Sequence, residues 1–162
     1  MRFTVGDSQS LDLPPASFDA VIAHTLVSHL DKPAVVLAEI RRVLRPDRVI
    51  GIFDGDYASL TFELGDEQRS RQMDDAIIAS LVTNPRILRQ MPRLLKQAGF
   101  AVAAVLSSVI TEAGTAEFWK GSIESYAALV PSAGLITHAE VAEYRDELMA
   151  ISTRGELFGS CV

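Results

Sequence analysis

The chain has 162 residues, 48% of them hydrophobic, which suits one globular domain of ordinary size. Its net charge of -6, from 21 acidic and 15 basic residues with no basic stripe, argues against binding to nucleic acid or to a membrane surface. A single cysteine, Cys161, rules out an internal disulfide and predicts a reducing, cytoplasmic setting, and no apolar run approaches the roughly 20 residues that cross a bilayer.

The chain opens with two strand-like runs separated by a loop. Residues 2–5 predict a short strand that ends at Gly6-Asp7, and the prolines that follow force an extended or turning connection. Residues 18–23 (FDAVIA) have no polar side chain after the aspartate, which is typical of a strand buried on both faces of a parallel sheet.

A helix and a third strand come next. Asp31 is predicted to cap a helix that has Pro33 in its first turn, and the helical spacing of apolar residues stops at Pro46. Residues 48–53 (RVIGIF) then predict a strand. This alternation indicates a doubly wound α/β sheet rather than a helical bundle or a β-sandwich.

The middle of the chain predicts two helices and a strand. Asp66 is predicted to cap the first helix, and the second starts after Asn84-Pro85, is interrupted by Pro92 and stops at Gly99. The first helix has one apolar face, formed by Met73, Ile77 and Leu81. Residues 101–110 (AVAAVLSSVI) predict a long buried strand.

The last third predicts two more helices and a final strand. The first has an apolar face of Trp119, Ile123, Tyr126 and Val130, and it ends at Pro131 and Gly134. Thr137 and Glu140 predict a capping box for the second, whose apolar face is Val141, Tyr144, Leu148 and Ile151. After Gly155 the segment ELFGSCV predicts a strand.

Ligands of open α/β sheets bind at the carboxyl ends of parallel strands, so three strand ends are candidate sites: Gly6-Asp7, His24 and Asp54-Gly55-Asp56. The Asp7 carboxylate can accept a hydrogen bond from an exocyclic amine while the Ser8 backbone N–H faces a ring nitrogen, which suits one edge of adenine. Taken alone, however, Gly6-Asp7 is more typical of a simple turn.

An ordered set of motifs resolves part of this ambiguity. The chain contains GDS, LDLPPASFD, SHL, EIRRVLRPD and VIGIFD in one run of about fifty residues. This run resembles the small-molecule group of class I S-adenosylmethionine-dependent methyltransferases, which includes ubiquinone and menaquinone biosynthesis enzymes. The segment NPRILRQMPRLLKQAGF is similar to the helix before the sixth strand of those enzymes.

The resemblance implies a role for particular residues. Asp7 would face the adenine amino group of S-adenosylmethionine, Ser8 would offer its backbone to the ring, and His24 with Thr25 would border the cofactor. His29 matches the histidine before a leucine in the family pattern and is the catalytic candidate, for substrate contact or proton transfer. A role in capping or packing is equally open for His29.

The residues predicted to contact the substrate lie at the end of the fifth family strand and beyond it. Asp54, Asp56 and Tyr57, at the end of the fifth family strand, would border the methyl group or the acceptor, although they fit a polar loop at least as well. Trp119 and Tyr126 would line a substrate lid, although an apolar helical stripe is more often core. The reaction implied is direct attack of a small-molecule nucleophile on the sulfonium methyl, without a metal.

Two features depart from the family pattern. The usual Pro-Gly-Gly before the fifth strand is Pro46-Asp47-Arg48 here, and the glycine-rich loop and acidic residue of the first two strands have no counterpart. In the family order 3-2-1-4-5-7-6, with an antiparallel final strand, the chain would hold strands 3 to 7 of an incomplete Rossmann-like sheet. We therefore expect residues 1–162 to be a partial domain, with residues 1–56 on the cofactor side and 57–162 on the substrate side.

Other function classes fit less well or remain open. A non-catalytic methyltransferase-like fragment or subunit would show the same motifs, and its exposed sheet edge would favour association, for example into a homo-oligomer. A dehydrogenase or kinase is not supported, because neither G-x-G-x-x-G nor G-x-x-x-x-G-K-[ST] occurs. A G-x-S-x-G hydrolase elbow is absent as well.

Overall fold

The computed structural model contains both helices and strands, and it describes residues 3–162 apart from the side chain of Ser132. The strands are β1 (Phe18–His24), β2 (Leu44–Phe53), β3 (Thr61–Phe62), β4 (Ile110–Gly114) and β5 (Leu157–Cys161). The α-helices are α1 (Pro33–Val43), α2 (Glu67–Leu81), α3 (Ile87–Gln97), α4 (Phe118–Leu129) and α5 (His138–Thr153). The predicted α/β class is confirmed.

The chain divides into two compact units. The first unit runs to Asp54 and also contains Arg86–Leu106, and the second contains Gly55–Pro85 and Ser107–Val162. The described strands accordingly form two sheets, β1-β2 in the first unit and β3-β5-β4 in the second. The single doubly wound sheet predicted from the sequence is therefore not formed in this structure.

In the first unit, β1 and β2 pair in parallel, with His24 opposite Phe53 at their carboxyl ends. Helices α1 and α3 pack on the sheet face that carries Val21, Ile50 and Ile52, because their own apolar residues face that side. The other face is exposed, with Ile22 76% and Val49 66% accessible. The prediction that β1 is a strand is confirmed, whereas its burial on both faces is wrong because the helices cover one face.

The first residues of β2 contain an irregular turn. Phe18 of β1 pairs with Leu44 of β2, but Ala20 pairs with Val49, so β2 has extra residues between these two pairs. Asp47 lies in this extra segment and has φ +58. Aspartate tolerates this left-handed conformation better than most residues. The turn thus keeps the conformation that glycine adopts freely, and Arg45 and Arg48 both form salt bridges with Asp19 of β1.

The second unit places β5 between β3 and β4, antiparallel to both, which confirms the predicted antiparallel final strand. Helices α2, α4 and α5 contribute the core around it. Its most deeply buried side chains are Phe62, Ile77, Ile123, Val130, Val141, Tyr144, Leu148 and Leu157. All three apolar helix faces predicted from spacing therefore point into this core, with Met73, Leu81 and Tyr126 partly buried at its margin.

Three local predictions are wrong. Residues 3–5 form no strand, with residue 2 outside the described part, and no strand covers 101–109, since β4 begins at Ile110. Both runs have strand propensity but lack a neighbour to pair with, and their side chains are exposed. Asp31 does not cap α1, whose first flanking residue is Lys32 without a side-chain cap.

Candidate functional site

The carboxyl ends of β1 and β2 bring polar and aromatic groups together. His24 is the last residue of β1 and lies opposite Phe53, the last residue of β2, with Thr25 and Asp54 directly after them. This is the edge at which parallel α/β sheets bind ligands. The sequence prediction that His24 and Thr25 lie at the carboxyl end of a parallel strand is confirmed.

Thr25 turns the chain sharply at this edge. Its N–H donates to the Phe53 carbonyl at 2.8 Å, which extends the pairing of the two strands by one residue. Its φ is +47, a left-handed conformation that is rare and costly for a β-branched residue. The Thr25 hydroxyl lies 2.9 Å from His24 Nδ1, so the two predicted cofactor residues are hydrogen-bonded to each other.

The His24 ring is stacked on the Phe53 ring. The ring centroids are 4.7 Å apart with an interplanar angle of 27°. Both residues are exposed, Phe53 to 62%. An exposed aromatic pair at the ligand-binding edge offers a flat surface for a purine ring and a negative π-face for a cation.

Asp54 anchors the short 3₁₀ helix Val27–His29 that follows Thr25. Its Oδ2 accepts a hydrogen bond from the Ser28 N–H at 3.0 Å. Ser28 is fully buried, whereas His29, the catalytic candidate, is exposed at the end of the turn. The sequence did not predict the role of Ser28, although its place in the SHL motif, one residue before His29, pointed to this turn.

Asp7 lies in a turn of its own. Asp7 Oδ1 accepts from the Gln9 N–H at 2.8 Å and its carbonyl accepts from the Ser10 N–H at 3.1 Å. Asp7 is exposed and Ser8 is half-buried. Within the described part of the chain the hydrogen bonds of Asp7 stay inside this turn, so they do not join it to His24 or Thr25.

The loop after that turn is fixed to α1 by an ion pair. Arg42 Nη2 lies 2.7 Å from Glu39 Oε1, and the same guanidinium donates to the carbonyls of Leu11 and Leu13. Glu39 also accepts the Leu11 N–H at 2.8 Å. The hydrogen bond from Arg42 lowers the pKa of Glu39 to about 2. Glu39 and Arg42, both in the EIRRVLRPD motif, therefore hold the loop between the Asp7 turn and β1 in place.

The predicted substrate residues lie in the second unit. The Asp56 N–H donates to the Val162 carbonyl at 2.7 Å, and Tyr57 begins a 3₁₀ helix, Tyr57–Ser59, and is half-buried. Trp119 is 4% exposed and its Nε1–H donates to the Gly159 carbonyl at 3.1 Å. Trp119 thus packs in the core here, which supports the structural alternative for this residue.

Burial shifts the pKa values of two titratable groups near the predicted substrate residues in this unit, Tyr126 and Asp74. Burial raises the pKa of the half-buried Tyr126 to about 12. Burial also raises the pKa of Asp74 to about 6, although its carboxylate accepts the Phe62 N–H. The burial of Asp74 was not predicted from the sequence. Its position four residues before Ile78, on the same buried face of α2, could have indicated it.

No group of three or more histidine, cysteine or acidic residues among the described positions is arranged to hold a metal ion. A search of the helices in residues 3–162 finds none with the length and apolar character of a membrane span.

Comparison with known proteins identifies the segment that builds this edge. Residues 1–52 match a protein-family model described as "Methyltransferase domain". The chain is 36% identical over 115 residues to an uncharacterized 37.1 kDa transposon protein of Streptomyces fradiae, covering 70% of this chain and 33% of that protein. It is 28% identical over 119 residues to a sterol 24-C-methyltransferase of Gibberella zeae, covering 74% and 31%.

Among solved structures, phosphoethanolamine N-methyltransferase 2 of Haemonchus contortus, in complex with phosphomonomethylethanolamine and S-adenosylhomocysteine, gives a TM-score of 0.40 at 13% identity. The match covers 97% of this chain and 35% of that one, and it is too weak to support the assignment. The chain spans about a third of the length of the curated relatives it matches. On the sequence matches, residues 1–52 are similar to a methyltransferase domain, and about three quarters of the chain is similar in sequence to part of a sterol 24-C-methyltransferase.

Proposed function

We propose that this chain takes part in S-adenosylmethionine-dependent methyl transfer to a small-molecule acceptor. The observation that carries the proposal is the family match over residues 1–52, which spans the Asp7 turn, β1, the turn at Thr25 and nearly all of β2. Of these elements, β1, β2 and the turn at Thr25 form the exposed carboxyl edge of the parallel pair. When bound, the cofactor supplies a methyl group on a positively charged sulfur.

The residues at this edge fit part of the cofactor. The stacked His24 and Phe53 rings are exposed and suit either adenine or a sulfonium cation. The Asp7 carboxylate is exposed and suits an exocyclic amine, with the Ser8 backbone next to it. In this proposal Asp7, Ser8, His24 and Thr25 bind the cofactor.

On the acceptor side, His29 is exposed one turn after Thr25 and suits proton transfer or orientation of the acceptor. Tyr57 and Tyr126, both half-buried, are the stronger substrate candidates, because Trp119 is already packed and hydrogen-bonded. Asp56 completes this set. The task of the chain would be alignment of the two reactants and exclusion of water, without a covalent enzyme intermediate.

The exposed face of β1-β2 supports a second candidate, a non-catalytic subunit that associates through its sheet. Parallel sheets are normally covered on both faces, yet Ile22 and Val49 are more than half exposed. We propose that this sheet is incomplete and is covered by further polypeptide, either more of the same protein or a second copy. Both candidates predict association; only methyl transfer requires the cofactor to bind.

The test is isothermal titration of the chain with S-adenosylmethionine and with S-adenosylhomocysteine, with its mass in solution measured in parallel. We expect binding that weakens at least about tenfold in His24→Ala, or about 1.4 kcal/mol. His138→Ala is the matched control, since His138 is an exposed histidine of α5 in the other unit. Absence of binding to an associated, folded chain would favour the subunit and contradict a catalytic role for this chain.

A further inference from the structure

Contacts from Phe53, at the end of β2, and from Asp54, directly after it, hold the Thr25 turn. The Phe53 carbonyl accepts the Thr25 N–H, the Phe53 ring stacks on His24, and the Asp54 carboxylate accepts the Ser28 N–H. The first two contacts fix the start of the turn. The third fixes its far side, three residues beyond Thr25.

The Asp54 contact serves a group that water cannot reach. Ser28 is 0% exposed and its neighbour Val27 is 1% exposed, so an unpaired Ser28 N–H would be buried without an acceptor. Within the described residues the Ser28 hydroxyl has no hydrogen-bond partner. The backbone N–H of Ser28 therefore links this buried turn to Asp54, directly after β2.

This link bears directly on Thr25. A β-branched residue stays in the left-handed region only when its surroundings hold it there, because relaxation to ordinary φ values lowers its energy. With Ser28 held by Asp54 and Thr25 held by Phe53, both sides of the strained residue are fixed to the same strand. Release of one side would let the turn relax and move His24 and Thr25.

We propose that Asp54 is a positioning residue: by accepting the Ser28 N–H it sets the conformation of the His24–Thr25 turn and thereby the affinity for the cofactor. The inference rests on the proposed function, in which His24 and Thr25 border the cofactor. It assigns Asp54 a role through its hydrogen bond rather than through its negative charge.

Three substitutions separate hydrogen bond from charge. Asp54→Asn keeps an acceptor oxygen in place and loses the charge, Asp54→Glu keeps the charge and displaces the acceptor, and Asp54→Ala removes both. Asp31→Ala is the matched control, because Asp31 is an exposed carboxylate just beyond the turn that does not cap α1.

The first readout does not depend on the cofactor. In Asp54→Ala and Asp54→Glu, amide hydrogen exchange of Ser28 should accelerate at least about tenfold, as expected for a lost buried hydrogen bond. The His24 ring-proton shifts should also move, because they report stacking on Phe53. Asp54→Asn and Asp31→Ala should leave both signals close to those of the unchanged chain.

The second readout is S-adenosylhomocysteine affinity by titration. We expect at least about a fivefold loss in Asp54→Ala and Asp54→Glu and less than about a twofold loss in Asp54→Asn and Asp31→Ala. Equal weakening in Asp54→Asn and Asp54→Ala would overturn the inference in favour of a charge effect. Unchanged Ser28 exchange in Asp54→Glu would overturn it as well, and this variant also serves if Asp54→Ala does not fold.

If the proposed function is wrong, the titration and the exchange experiment give different answers. In that case the unchanged chain would not bind S-adenosylhomocysteine, and the role of Asp54 in cofactor affinity would fall with it. The exchange and ring-proton data would still decide whether Asp54 holds the turn.

Discussion

Gly159 lies where a single added methyl group should destabilise the second unit. It is in the central strand β5, opposite Phe62 of β3 and Glu112 of β4. A Cβ atom there would be 2.8 Å from Phe62 Cε1, 2.9 Å from Phe62 Cδ1 and 3.0 Å from Trp119 Cδ1. These separations are shorter than van der Waals contact, and both rings are at least 96% buried, since Phe62 is 1% and Trp119 4% exposed.

Three contributions determine how much Gly159→Ala changes the free energy of unfolding. Overpacking a well-filled core costs about 1–3 kcal/mol. Displacement of Trp119 also weakens its hydrogen bond to the Gly159 carbonyl, worth about 1 kcal/mol, while the lower entropy of unfolded alanine returns about 0.4–1 kcal/mol. We therefore expect Gly159→Ala to lower the free energy of unfolding by about 2 kcal/mol.

Urea unfolding followed by tryptophan fluorescence measures this locally, because Trp119 is the single tryptophan of the chain. Gly121→Ala is the matched control: Gly121 is in α4, and a Cβ there meets no atom within 4 Å. The same chemical change should stabilise by about 0.5–1 kcal/mol at that position. If Gly159→Ala unfolds at the same urea concentration as the unchanged chain, the described packing of Phe62 and Trp119 is wrong.

Three further predictions concern single residues. Asp47→Gly should raise the free energy of unfolding by up to about 1 kcal/mol in urea unfolding, because it relieves the left-handed strain at φ +58. Thr137→Ala should lower it by about 1 kcal/mol through loss of the capping box of α5, whereas Thr153→Ala at the exposed end of the same helix should have a smaller effect. Because burial raises the pKa of Asp74 from 3.8 to about 6 in the folded state, the folded chain binds this proton more tightly than the unfolded chain. Protonation of Asp74 contributes at most about 3 kcal/mol to the free energy of unfolding, a contribution that is present below pH 4 and is lost as the pH rises through 6. The free energy of unfolding of the unchanged chain, relative to that of Asp74→Asn, should therefore fall when both are measured from pH 4 to 7.

Local signals in the sequence predicted helix starts with mixed success. Asp66 accepts the Arg69 N–H and Thr137 forms the full capping box with Glu140, as predicted, because each motif is complete within four residues. Asp31 failed as a cap because Lys32 lies between it and Pro33, so α1 begins one residue too late for its side chain. A capping residue can thus be read from sequence only when the first helical residue is known as well.

Strand predictions failed where pairing decides the outcome. Residues 18–23 and 48–53 became β1 and β2 because each supplies the neighbour of the other. Residues 101–109 have the same apolar character, yet the strand forms only from Ile110, where β5 provides partners. Apolar content predicts that a segment can be a strand, whereas the partner, which is remote in sequence, determines whether it becomes one.

The candidate site shows the same limit at the level of side chains. The ends of β1 and β2 were predictable because parallel strands place their carboxyl ends together, and this led to His24 and Thr25. The bond between Asp54 and Ser28 joins residues 26 positions apart, and nothing in either local sequence indicates it. Motif position indicated the residues proposed to bind the cofactor, whereas the positioning role proposed for Asp54 required the tertiary structure.

The two proposals for the first unit depend on different parts of the β1-β2 sheet. The turn at Thr25 is held by contacts from Phe53 and Asp54, all within that unit, so its conformation does not require the exposed face to be covered. The exposed face, with Ile22 and Val49, costs free energy until other polypeptide covers it, and that cost weakens the unit as a whole rather than the turn alone. A covering partner should therefore slow hydrogen exchange throughout β1 and β2, whereas substitution of Asp54 should accelerate exchange in the turn. Exchange measured residue by residue separates the two effects even in a chain that binds no cofactor.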